Sequence, residues 1–141
     1  MLKKIMGIDY GKARIGIAIS DGLGMVANPV ATISEKHFPS QVKAVAKTVN
    51  ELKPTKIIMG LPRNMDGTEG DSATLVREFA QKLYEHTNVE IDFLDERLTT
   101  VSAHKMLSQM NVNGSKKRKG VVDTLSAVII LQNYLDKKEV L

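Results

Sequence analysis

Apolar positions follow two different periods along the first half of the chain, and the change of period predicts its elements. Short β-rich runs at 3–9 and 14–20 are joined by residues 10–13, which predicts a hairpin. Residues 25–33 predict a third strand, which Pro29 makes irregular or places at an edge. The next apolar residues recur at helical spacing, so a helix is predicted over 40–52.

Strands and helices alternate in the second half of the chain. Apolar runs predict strands at 56–60 and 89–94, and a polar, glycine-containing loop between them ends at a helix start near Asp71 or Ser72. Two further helices are predicted, at 103–110 and at 121–136. Three early strands followed by strand–helix alternation predict an α/β fold with a mixed five-stranded sheet and helices on both faces.

Composition restricts the class of protein. The chain has 141 residues, 43% of them hydrophobic and 26% charged, which is typical of one globular domain spanning residues 1–141. The absence of cysteine excludes a disulfide framework, a thiolate zinc site and a cysteine nucleophile. The longest apolar run has five residues (127–131), and Asp9 interrupts any signal-peptide core. We therefore expect a cytoplasmic protein with no membrane association.

The net charge of +4 has a local origin. Four of the 20 basic residues form the consecutive run Lys116, Lys117, Arg118 and Lys119, and without it basic and acidic residues balance. The run ends a glycine-containing segment, 111–120, that the pattern predicts to be mobile. It is either a contact for a polyanion or a solvated basic loop.

Acidic residues occur where strands end and a helix begins. Asp9 ends the first strand, Asp95 and Glu96 follow the strand at 89–94, and Asp123 begins a strongly apolar helix. Carboxylates that converge there would suit Mg²⁺ or Mn²⁺, which take oxygen ligands. Taken singly, each acid also has an ordinary structural role: a turn cap for Asp9, an ion pair with Arg97 for Glu96, and a helix N-terminal charge for Asp123.

Four segments together resemble the YqgF family over nearly the whole chain. They are GIDYGKARIGIAISD at 7–21, GLP with the loop that follows it at 60–73, DERLTT at 95–100, and VVDTLSAVIILQNYL at 121–135. This family consists of small bacterial proteins related to the RuvC Holliday-junction resolvases, with an RNase H-like fold. The resemblance implies a metal-dependent nuclease that matures the 5′ end of 16S ribosomal RNA, with Holliday-junction cleavage as the alternative activity.

The resemblance also implies particular site residues. Asp9, Glu96 and Asp123 match the expected catalytic and metal-binding acids, which would hold Mg²⁺ or Mn²⁺, and Asp95 is the alternate for Glu96. True resolvases carry an acid near the end of the fourth strand, where this chain has residues 60–64, GLPRN. The second acid must therefore come from the fifth strand.

Basic residues near these acids are candidate nucleic-acid contacts. They are Lys12, Arg14, Arg63, Arg97, Lys116, Lys117, Arg118 and Lys119. Three tyrosines, three phenylalanines and no tryptophan supply few stacking surfaces, which favours recognition of backbone and shape. The expected partner is a ribosomal RNA precursor or pre-ribosomal particle, with branched DNA as the alternative, bound by a monomer or homodimer. A non-catalytic RNA-binding assembly factor on a nuclease fold is the third hypothesis.

Overall fold

The computed structural model describes the backbone of residues 3–99 and 116–140, and the side chains of residues 3–99 and 124–137. Within these ranges lie five strands, three α-helices and one 3₁₀ turn. They are β1 Ile5–Tyr10, β2 Arg14–Ser20, β3 Ala27–Ser34, α1 Phe38–Leu52, β4 Lys56–Leu61, α2 Asp71–Thr87, β5 Ile91–Asp95, the turn Glu96–Leu98, and α3 Lys116–Val140. None of the described helices is long and apolar enough to cross a membrane.

The strands form one mixed sheet in the order β3-β2-β1-β4-β5. The hairpin partners β1–β2 and β2–β3 are antiparallel, whereas β1–β4 and β4–β5 are parallel. Parallel neighbours need a crossover, and α1 and α2 precede and follow β4 in the chain. The carboxyl ends of β1, β4 and β5 consequently meet at one edge of the sheet. The predicted mixed five-stranded sheet is confirmed.

Helices cover both faces of this sheet, as predicted. Alternate residues of the strands pack with α1 and α2 in one hydrophobic cluster, and the others pack with α3 in a second. On β1, for example, Met6 and Ile8 belong to the first cluster and Ile5 to the second. The helix α3 packs closely against β1. A methyl group at Gly7 would be only 2.7 Å from the Leu131 Cβ, so glycine permits this close approach.

The third strand is an edge strand, which agrees with the prediction from Pro29. Ala31 pairs with Ile17 and Pro29 with Ala18, so the register shifts there and Val30 is the extra residue. Pro29 has no backbone N–H, and such residues are tolerated at edges and bulges.

The predicted helix boundaries agree with the structure only in part. The last helix begins at Lys116 and not at 121, so the predicted start is wrong and the basic run Lys116–Lys119 is helical. Lysine and arginine are good helix formers, and Gly120 lowers helix stability without ending the helix. The helix α2 does begin at Asp71, but its N-cap is Gly70, which supplies no side-chain cap. The helix predicted at 103–110 lies outside the described residues.

Candidate active site

Asp9 lies near the carboxyl end of β1, with its side chain on the face that α3 covers. The alternation along the strand puts it on the same side as Gly7, which touches α3. Only 3% of Asp9 is exposed to solvent. A carboxylate buried in the central strand of a sheet is costly unless charge or hydrogen bonds compensate it. Asp9 is therefore a candidate functional residue and not an ordinary surface acid.

Glu96 reaches the same face from the start of the 3₁₀ turn after β5, and only 4% of it is exposed. A methyl group at Gly60 would lie 2.6 Å from the Glu96 Oε1. The carboxylate therefore fills the space that a β4 side chain would occupy. Since Ile8 pairs with Met59, the next residues of the two strands are Asp9 and Gly60. Asp9 is thus the neighbour of Gly60 on β1, and the Glu96 carboxylate lies over Gly60.

The backbone at position 123 reaches the same end of the sheet. Thr32 pairs with Gly16, and Gly16 pairs with Asp9, so these three residues form one row across the sheet. The hydroxyl of Thr124, in α3, is hydrogen-bonded to the hydroxyl of Thr32. The helix is therefore level with Asp9 at this point.

Asp123 occupies the helix stripe that faces the sheet, because Ala127 and Ile130 follow it by four and seven residues. Ala127 abuts Gly7, and the Ile130 Cδ1 abuts Gly60. The side chain of Asp123 lies outside the described residues. Among the side chains that are described, no three acids or histidines gather closely enough to hold a metal ion.

Asp95 differs from Glu96 in both direction and partners. It follows Leu94, which packs in the α3 cluster, so strand alternation turns Asp95 toward the opposite face. Its carboxylate accepts hydrogen bonds from the Arg97 side chain at 2.7 and 3.1 Å and from the Arg97 backbone N–H at 3.0 Å. The Arg97 guanidinium lowers the pKa of the Asp95 carboxyl. The fold thus separates two neighbouring acids that sequence alone left as alternatives.

The two predicted basic contacts near the loop at 62–70 are engaged in ion pairs. Arg63 lies 3.7 Å from Glu69 and 4.0 Å from Asp95. Arg97, besides holding Asp95, donates a 3.4 Å hydrogen bond to the backbone carbonyl of Met65. Both arginine side chains are about a third exposed. These contacts stabilise the loop at 62–70. They also neutralise part of the positive charge of the two arginines, which a bound phosphate would otherwise meet.

The other predicted contacts differ in accessibility. Lys12 is exposed on the β1–β2 turn, two residues beyond the Tyr10 that ends β1, and Arg14 is half-buried at the start of β2. The backbone of Lys116–Lys119 forms the first turn of α3, at the helix end that leads to Asp123. The side chains of this run lie outside the described residues.

Gln41 is a residue that the pattern of the sequence did not single out. It is 1% exposed, and its side chain bonds the turn that follows Asp9. The available signal was a polar residue on the apolar stripe of α1, four residues before Val45.

Comparison with known proteins places the chain in a well-defined group. Residues 3–137 match the family model described as "RuvX: Holliday junction resolvase". A protein of Ruminiclostridium cellulolyticum named "Putative pre-16S rRNA nuclease" is 44% identical over 135 residues, which cover 95% of this chain and 94% of that one. A Clostridium botulinum protein of the same name is 40% identical over 134 residues, covering 95% and 97%.

Solved structures with low sequence identity share the fold. The T. thermophilus RuvC in complex with a Holliday junction substrate superimposes with a TM-score of 0.62 at 10% identity, covering 97% of this chain and 96% of that one. The fowlpox virus Holliday junction resolvase gives a TM-score of 0.56 at 12% identity, covering 96% and 99%. The expected RNase H-like fold is thereby confirmed.

Proposed function

Because the chain belongs to the RuvX Holliday junction resolvase family, we propose that it is a metal-dependent nuclease that matures the 5′ end of the 16S ribosomal RNA precursor. The relatives named for this activity match it at 40–44% identity over almost its whole length. One structural observation carries the proposal: two buried carboxylates, Asp9 and Glu96, flank Gly60 at the carboxyl edge of the sheet. We assign the activity to a single domain, 1–141, working in the cytoplasm.

The donor set fits a hard divalent cation. Asp9 and Glu96 offer carboxylate oxygens from two different elements, and the backbone position of Asp123 supports it as the third ligand of the proposal. Oxygen ligands of this kind suit Mg²⁺ or Mn²⁺. When bound, such ions lower the pKa of water and stabilise the leaving oxygen in phosphodiester hydrolysis.

The protein's own contribution is to hold its carboxylates in place before substrate arrives. Asp9 is rigid because β1 is hydrogen-bonded to β2 on one side and to β4 on the other. Glu96 lies over Gly60, in a space that the Ile130 side chain also borders. Both acids are more than nine-tenths buried, so water screens their charge only weakly, which strengthens their attraction for a cation.

Substrate binding in this proposal uses phosphate contacts. Lys12 is exposed two residues beyond the end of β1, close to Asp9, and the basic turn Lys116–Lys119 precedes Asp123 in the same helix. Arg14, Arg63 and Arg97 complete the proposed set. Arg63 and Arg97 contribute less, because both already pair with acids. Positive groups arranged around the acids would position a polyanion without reading its bases.

The decisive experiment compares two substrates in parallel. Purified protein is incubated with precursor 16S RNA and with a four-way DNA junction, each in Mg²⁺, Mn²⁺ or EDTA. We expect cleavage of the RNA at its 5′ side with metal and none with EDTA or in the Asp9→Asn variant. Cleavage of the junction alone would replace the proposal with resolvase activity, which needs two symmetry-related sites. Binding of RNA without cleavage under any condition would indicate an assembly factor.

A further inference from the structure

A single buried carboxamide organises the turn between β1 and β2. Gln41 lies in the first turn of α1 and is 1% exposed. Its Nε2 donates to the carbonyl of Lys12 at 2.8 Å and to that of Glu35 at 2.7 Å, with a longer contact of 3.4 Å to the carbonyl of Gly11. Its Oε1 accepts a 2.8 Å hydrogen bond from the Tyr10 hydroxyl.

These bonds tie the turn to structure that is itself rigid. The Tyr10 ring stacks on Phe79 with 4.4 Å between the ring centroids. This stacking fixes the position of the Tyr10 hydroxyl, which donates its hydrogen bond to Gln41. Glu35 donates its backbone N–H to the Ala13 carbonyl at 3.0 Å, so the end of β3 closes over the turn. The backbone from Tyr10 to Ala13 is therefore held by three contacts: the stack of Tyr10 on Phe79, the Gln41 side chain, and the backbone of Glu35.

The orientation of the peptide groups follows from these contacts. A trans peptide directs its C=O and the following N–H to opposite sides. Since the carbonyls of Gly11 and Lys12 point to Gln41, the N–H groups of Lys12 and Ala13 point away from α1. The turn therefore directs these donors away from α1, toward the face of the sheet on which Asp9 lies, and the Lys12 side chain is exposed.

The turn carbonyls do not need a buried glutamine merely to be hydrogen-bonded. Water can satisfy the carbonyls of an exposed turn, whereas placing a carboxamide in the core is costly unless all its bonds are made. The buried side chain gains its full set of bonds only in one conformation of the turn. It therefore selects that conformation over the others that a three-residue connection can adopt.

We propose that Gln41 is a positioning residue for nucleic acid: it sets the Gly11–Ala13 turn so that Lys12 and the outward N–H groups meet a phosphate beside Asp9. This inference rests on the proposed nuclease function. Gln41 touches no substrate and acts only through the turn. The predicted ligand chemistry is a backbone phosphodiester, independent of base sequence.

The test measures binding, so that it does not depend on cleavage. Affinity for precursor 16S RNA is measured in EDTA for the parent and for Gln41→Met, which keeps the length of the side chain and removes its hydrogen bonds. Val45→Ala, in the same helix and also buried, is the matched control for lost stability. All proteins are kept well below their unfolding temperatures, checked by circular dichroism. We expect about a tenfold rise in Kd for Gln41→Met and less than about twofold for Val45→Ala.

A double-mutant cycle with Lys12→Ala separates positioning from general weakening. If Gln41 acts through Lys12, removing the lysine weakens binding much less in the Gln41→Met background than in the parent. Equal effects in both backgrounds, or equal Kd values for Gln41→Met and Val45→Ala, would overturn the inference while leaving the nuclease proposal intact. A parent protein that binds RNA in EDTA but never cleaves it would refute the nuclease proposal and leave this inference standing. No binding of RNA or of a DNA junction by the parent would overturn both.

Discussion

Replacing Gly60 with alanine tests whether activity requires the Glu96 carboxylate to occupy the space over Gly60 in β4. The added methyl group would lie 2.6 Å from the Glu96 Oε1 and 2.6 Å from the Ile130 Cδ1. Comfortable separations are about 3.5 Å or more, so each atom must retreat by roughly 1 Å. Gly60 is not among the described glycines with positive φ, so alanine introduces no backbone strain.

The expected cost in stability is modest. Overpacking a core typically costs about 1–3 kcal/mol, and the loss of glycine's freedom in the unfolded chain returns about 0.5–1 kcal/mol. The Ile130 Cδ1 ends a flexible side chain that can change rotamer. We therefore expect the free energy of unfolding to fall by about 1–2 kcal/mol.

The expected cost in activity is much larger. A catalytic group misplaced by about 1 Å can lose roughly 100-fold in rate, which corresponds to about 2.7 kcal/mol of transition-state stabilisation. The assay is single-turnover cleavage of precursor 16S RNA at saturating protein and Mg²⁺, with urea unfolding of the same samples.

A second substitution separates the two contacts of the new methyl group. Ile130→Val removes the Cδ1, so adding it to Gly60→Ala should recover part of the lost stability, but it leaves the contact with Glu96. Activity should stay low in the double variant. Recovery of activity in step with stability, or a loss below about threefold in the folded single variant, would refute the placement of Glu96 in the reaction.

Further predictions concern the acids and their partners. Asp9→Asn should abolish cleavage and leave the melting temperature equal or higher, because one of two buried carboxylates at the same edge becomes neutral. Millimolar Mg²⁺ or Mn²⁺ should raise the melting temperature of the parent and not that of this variant. Glu96→Gln should lose cleavage almost completely and Asp95→Asn less than about tenfold, and the reverse order would mean that Asp95 is the functional acid. The Asp95 pKa is lowered by Arg97, so their pair stabilises the fold above the ordinary carboxyl pKa of about 4, and this contribution disappears as the pH falls through the lowered pKa. Urea unfolding of parent and Arg97→Gln between neutral and acidic pH should therefore differ most at neutral pH and converge in acid.

Much of the fold was predictable because its signals are local. The hairpin at 10–13, the irregular edge at Pro29 and the start of α2 at Asp71 each depend on residues close in the chain. The start of α3 differs from the predicted one, because the helix-forming lysines and arginine before Gly120 extend the helix to Lys116.

The site was predictable only in part. A single charged residue in an apolar strand marks Asp9 without any tertiary information, and the family resemblance supplies Glu96 and Asp123 as further candidates. The choice between Asp95 and Glu96 depends on which face of the sheet each side chain takes at the end of β5, where a 3₁₀ turn replaces strand alternation.

The sequence by itself determined the period of each segment, the ends of most strands and the acid that interrupts the first of them, since these depend on neighbours within one turn or pleat. Only the tertiary structure decided that Glu96 lies over Gly60, that Arg97 holds Asp95, and that Gln41 secures the turn after β1. The contacts of Glu96 and Gln41 join segments that lie far apart in the chain, and the Asp95–Arg97 pair depends on the face of the sheet that Asp95 takes at the end of β5. Their geometry is set by strand register and by the packing of helices on the two faces, which no local pattern records.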